Sequence, residues 1–76
     1  MNRFDDIARA VLTHRKEAGL TQKELADLAG VGKTVVFEIE KAKTSVRFDT
    51  LMKVLDALSI EIHLDSPLVR RRDETS

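Results

Sequence analysis

The chain has 76 residues and a mass of 8.6 kDa, room for one small domain that buries roughly 60% of the surface its unfolded form exposes, which argues against a deep enzyme pocket. Thirteen Lys and Arg balance thirteen Asp and Glu, so no bulk positive charge holds a polyanion, and an anionic partner has to be met by a local patch. Cysteine is absent, which removes disulfides, thiol catalysis and cysteine-ligated zinc and leaves oligomerisation as the natural support for so small a core.

Phe4, Ile7, Ala8, Val11 and Leu12 recur at helical spacing on one face, with Arg9, His14, Arg15 and Lys16 directed elsewhere. The spacing predicts a first helix from about Asp5 to Ala18, closed by Gly19, the residue type that most cheaply adopts the left-handed conformation. Thr21, Gln22, Lys23 and Glu24 form a capping box, with Leu20 and Leu25 placed as a hydrophobic staple. They start a short second helix, Gln22 to Ala29, whose packing face is Leu25, Leu28 and Ala29. Gly30, Val31 and Gly32 make a tight turn into a third helix, from about Lys33 to Lys41. Val36 and Ile39 point inward there, leaving Lys33, Thr34, Phe37, Glu38 and Lys41 on an outer side oddly mixed for a plain solvent face.

A polar link from Ala42 to Val46 leads to a fourth helix with an apolar stripe of Phe48, Leu51, Met52, Leu55 and Leu58. Its start lies between Ser45, a good cap, and Arg47, a poor one. After Ser59 the period falls to about two. Ile60, Ile62 and Leu64 alternate with Glu61, His63 and Asp65, the pattern of a strand. One strand leaves its own amides and carbonyls unpaired, and no second strand pattern exists in the chain, so its simplest partner is the same strand of another copy. Packing under the fourth helix is the alternative. Residues 1–66 thus read as one domain, and 67–76, with Pro67 and the run Arg70, Arg71, Arg72, as a polar tail.

Two short helices joined by a Gly-containing turn, the second polar on its outside, are the signature of a helix-turn-helix. Small Ala26 sits where the helices cross, Gly30 lies in the turn, and Val31, Val36 and Ile39 pin the third helix. The stretch Leu20-Thr-Gln-Lys-Glu-Leu-Ala-Asp-Leu-Ala-Gly-Val-Gly-Lys-Thr-Val-Val-Phe-Glu-Ile-Glu40 resembles the Cro/C1-type (Xre) family over roughly Phe4 to Ser59. Adding the segment Ser59-Ile-Glu-Ile-His-Leu-Asp65, the chain is similar to the HipB antitoxins, in which strands of two chains pair. The resemblance implies a mainly α, lambda repressor-like domain of four to five helices with a C-terminal β-strand, Ile60, Ile62 and Leu64, pairing across a homodimer. It implies a repressor of its own operon that binds a palindromic double-stranded operator and a HipA-like kinase toxin.

Carried over to this chain, the resemblance places Lys33, Thr34, Phe37 and Glu38 at base edges. Lys33 suits guanine O6 and N7, Glu38 cytosine N4, and Thr34 or Phe37 a thymine methyl. Gln22 and Lys23 at the start of the second helix, and Lys41 and Lys43 after the third, fall where the family holds phosphates. Lys33 to Arg47 holds four basic residues against two acidic ones, a net +2. The chain departs from the family pattern at Gly32 (usually a hydroxyl cap), Phe37 (usually polar), Ala42 (usually glycine) and Arg47 (an unusual cap), which bears on the base contacts and leaves room for reading by shape.

Plainer readings stand beside these. Lys33 and Thr34 could be a solvated helix start, Glu38 could pair with Lys41, and Phe37 could cover the first helix or meet a protein. His14 and His63 lack ligand spacing, and no metal or cofactor is expected. Gly32-Lys33-Thr34 resembles the end of a phosphate-binding loop, but Asp27 stands where that motif needs glycine. The pattern holds no nucleophile with a base and no paired carboxylates, so no enzyme is expected. Without an apolar span or signal-like start the chain reads as cytoplasmic and off the membrane. The remaining alternatives are a phage-type or stand-alone Xre regulator without a toxin, and a module that uses the same scaffold to bind only protein.

Overall fold

The computed structural model describes residues 3–63, in which four helices follow one another: α1 (Arg3–Glu17), α2 (Gln22–Ala29), α3 (Lys33–Glu40) and α4 (Phe48–Ala57). α1 begins two residues before the expected Asp5 and ends one before Ala18, and α3 ends at Glu40, with Lys41 as its cap. α2 keeps its expected bounds because its start is strongly specified. Thr21 Oγ1 accepts from the Glu24 amide at 3.0 Å while the Thr21 amide donates to Glu24 Oε1 at 2.8 Å. α4 starts behind Arg47, whose side chain makes no cap and instead pairs with Asp49 at 3.3 Å.

One apolar core joins the helices: Ala8 and Val11 from α1, Leu25 and Ala26 from α2, Val36 and Ile39 from α3, and Leu51, Val54 and Leu55 from α4. α2 packs on α3 and α4, and α1 packs on α3, so α3 is held from behind and its front is left to solvent. Ala26 is fully buried at that crossing. Two expected packing residues are corrected. Leu28 is 63% exposed and Phe48 71% exposed. Helical spacing sets their direction but not whether another element stands opposite, and among the described residues none does. Val54, absent from the expected stripe, is fully buried.

Each helix ends in the same way. Beyond its last turn one residue turns left-handed, and two amides bond back to carbonyls three and five residues earlier. Gly19 (φ 72°) and Gly30 (φ 74°) occupy this position after α1 and α2, but Ala42 (φ 59°) and Ser59 (φ 57°) occupy it after α3 and α4. The α3 ending comprises Ala42 N–H to Ile39 O at 2.9 Å and Lys43 N–H to Glu38 O at 3.0 Å. Residues 60–63 are irregular within the single chain. The Ile60 amide bonds Leu55 O at 2.9 Å and its side chain packs against the core, whereas Ile62 is 43% exposed. The expected strand therefore has no partner within the described chain, and Leu64 and the 67–76 tail lie outside the described residues. Among those residues no helix is long and apolar enough to cross a membrane.

Candidate nucleic-acid interface

The three-residue turn at Gly30 to Gly32 joins the end of α2 to the start of α3, and because α2 packs on α3, Gln22 at the start of α2 faces the front of α3. Each helix N-terminus leaves amides without intrahelical partners, which favours an anion in front of it. Gly32, the cap of α3, makes no side-chain bond to that helix. Between the two starts lies an open hollow of about 310 Å³ lined by Gln22, Lys33, Thr34 and Phe37. Four of the expected contact residues are thus brought onto one concave surface. Lys41 joins them indirectly, its ammonium standing 5.6 Å from the centroid of the Phe37 ring, one helical turn back.

The remaining expected residues are placed differently. Lys23 is drawn along α2 to Asp27 at 3.0 Å, an exposed pair that contributes little and yields readily to a phosphate. Glu38 is half-buried, and Lys41 stands over Phe37, so the Glu38–Lys41 pair is not formed. Lys43 is exposed in the loop after α3. Ile60 and Ile62 lie at the opposite end of the chain's described part, as given above.

A polar cluster behind the hollow was not expected. Arg15 Nε donates to Glu40 Oε2 at 2.6 Å and its Nη2 to Oε1 at 3.1 Å, while Nη1 donates to Leu20 O at 2.9 Å. Both side chains are nearly covered, 12% and 6% exposed. The Glu40 hydrogen bond, with its charge, raises the Arg15 pKa above its ordinary value against the opposing effect of burial. Gln22 Nε2 also donates to Glu40 Oε1, at 3.1 Å. A carboxylate only accepts, so the nitrogen of the Gln22 amide must face Glu40. The expected phosphate residue is thereby clamped by α3, with one amide hydrogen committed to Glu40. The sequence signals the burial of each but not their pairing: Arg15 follows Val11, and Glu40 follows Val36, by one helical turn of four residues, so each continues a buried stripe.

A two-helix unit braced from behind, with a polar front on its second helix, defines a DNA-binding helix-turn-helix. The helix-turn-helix family profile matches residues 13–64, and the chain belongs to that family of DNA-binding transcription regulators, in its Cro/C1-type (Xre) branch. It is 36% identical over 67 residues to the HTH-type transcriptional regulator y4mF of Sinorhizobium fredii, with 88% of each chain covered. It is 34% identical over 70 residues to the HTH-type transcriptional regulator SinR of Bacillus licheniformis, a match that spans 91% of this chain and 60% of that one. A chain in the structure of a HipA-HipB-O2-O3 complex has the same fold, with a TM-score of 0.76 at 24% identity over 88% of this chain and 94% of that one.

Proposed function

We propose that this protein is a sequence-specific repressor that binds a roughly palindromic operator as a homodimer, controls its own operon and acts as the HipB-like antitoxin of a HipA-like kinase toxin. The observation that carries the DNA reading is the convergence of Gln22, Lys33, Thr34 and Phe37 on one exposed hollow in front of two helix starts. Lys33 and Thr34, with Phe37 one turn on and Glu38 beside it, meet base edges, while Gln22, Lys23, Lys41 and Lys43 hold phosphates on either side. The antitoxin part draws on the fold shared with the chain of the HipA-HipB-O2-O3 complex. This reading gives the chain no reaction of its own and places it in the cytoplasm.

A second reading, a regulator without a toxin, is favoured by the higher sequence identity to y4mF and SinR. An anisotropy titration against the DNA upstream of its own gene, at physiological salt and with shuffled competitor, tests what both readings share. Tight, competitor-resistant binding is expected. Binding no better than to shuffled DNA would make the scaffold a protein-binding module. Co-purification with the kinase encoded beside it, if the neighbouring frame encodes one, separates the antitoxin from the stand-alone regulator.

A further inference from the structure

The Ile60 amide is committed to Leu55 O at 2.9 Å, on the α4 side of the chain. In an extended segment successive amides point to opposite edges, so once residues 60–63 extend, the amide of Ile62 shares the α4 side, and those of Glu61 and His63 point to the free edge. The side chains divide with the same period. Ile60 packs on the core and Ile62, 43% exposed, continues its face. The Glu61 and His63 side chains are 80% and 82% exposed, with His63 Nε2 3.3 Å from Glu61 Oε2.

Two identical edges of this kind meet antiparallel about a two-fold axis, in a register centred on one residue that faces its own copy. A centre between two residues would set an apolar position against a charged one. Centring on Glu61 sets carboxylate against carboxylate, and centring on His63 sets Glu61 against the partner's Asp65. Centring on Ile62 instead sets each Glu61 against the partner's His63, where an imidazole N–H meets a carboxylate, and brings the two Ile62 side chains together as the closer, non-hydrogen-bonded pair. Resting on the homodimer reading, we propose that residues 61–63 form an antiparallel ladder with a second copy, centred on Ile62, and that Glu61 and His63 fix its register and with it the spacing of the two α3 helices. A slip of the centre by one residue displaces the partner by two, roughly 7 Å or about two base pairs, so the register sets the half-site spacing the dimer accepts.

The chain has no cysteine, so single-cysteine variants of the full chain report the register under mild oxidation, read as covalent dimer on a non-reducing gel. Ile62→Cys is expected to link to its own copy, because directly opposed α-carbons lie within disulfide reach. Glu61→Cys and His63→Cys are each expected to stay unlinked alone, their copies standing roughly 8 Å apart, and to form the mixed dimer when combined. In sedimentation, His63→Glu is expected to raise the dimer dissociation constant roughly threefold to tenfold, and the swap Glu61→His with His63→Glu to restore it. Self-linking of Glu61→Cys or His63→Cys in preference to Ile62→Cys overturns the register and leaves the homodimer standing. A dimer in sedimentation that none of the three variants links overturns the ladder and puts the interface elsewhere. A chain monomeric at every concentration overturns the homodimer reading itself, and the ladder with it.

Discussion

Arg15 and Glu40 show how much a single pair decides. Their bidentate contact ties α1 to the end of α3, the third guanidinium nitrogen holds the Leu20 carbonyl, and Gln22 shares the carboxylate. Truncating one partner leaves the other charge nearly buried and unpaired, so Arg15→Ala is expected to cost about 2–4 kcal/mol in urea unfolding. The double variant Arg15→Met/Glu40→Leu should cost markedly less than the two single losses combined. Additive losses would show that the two residues act independently. On the proposed reading face, Lys33→Ala with Thr34→Ala should weaken an enriched operator far more than random DNA, whereas Lys43→Ala should weaken both alike. Equal losses everywhere would remove the base-reading assignment. Glu24 makes a pH prediction. Hydrogen bonds from the Thr21 amide and then its hydroxyl hold the carboxyl below its ordinary 4.5. The folded value lies under the unfolded one, so this contribution is complete above about pH 4.5 and fades as acid titrates the folded group. Glu24→Gln should flatten the acid limb of the stability curve by lowering stability at neutral pH toward the wild-type value in acid.

At the scale of the elements, the four helices share one kind of ending and differ in the residue that makes it. Glycine adopts the left-handed turn freely after α1 and α2, but Ala42 and Ser59 hold it against the clash of a β-carbon with the backbone. Ala42→Gly and Ser59→Gly are each expected to stabilise the fold by about 0.5–1 kcal/mol, the relieved strain outweighing the extra freedom of glycine in the unfolded chain. For a domain of this size that raises the melting temperature by several degrees. Gly30→Ala runs the other way and should destabilise by about 1 kcal/mol, although its side has space. Thermal unfolding of the three variants checks the signs together. The loop that Ala42 shapes carries Lys43, so the ending of α3 also sets where that exposed cation stands.

For the whole molecule, the outstanding element is the segment after α4. Ile60 is used by the protein's own core, while Ile62 faces solvent at 43% exposure, and the backbone from 60 to 63 is unpaired in ladder terms. In the proposed homodimer this edge pairs with its own copy and buries Ile62. Two α3 helices are then related by a two-fold axis, and half-sites lie about 34 Å or a multiple apart. Ile62→Asp should therefore move the protein toward monomer in sedimentation and lower operator affinity in parallel. A dimer indifferent to that change would put the interface elsewhere. Ile60→Ala, by contrast, should lower monomer stability, because its side chain lies against the core.

Much of the fold was legible in the residues because its causes are local. The Thr21–Glu24 box, the glycines at 19 and 30, Leu25 on α2 and the buried face of α3 act within one or two helical turns, and the structure keeps them. The helix-turn-helix, and Lys33, Thr34 and Phe37 on its front, follow from the same periodicity. What the residues alone did not decide depends on what lies opposite them. Leu28 and Phe48 continue apolar stripes yet face water, and Val54 fills the core, because burial is a property of the packed set and not of one helix. Arg15 and Glu40 stand 25 residues apart, and no spacing rule joins them. Only the packing of α1 against α3 brings the charges together, excludes water from them, and turns Gln22 from a flexible polar residue into one held at the edge of the hollow.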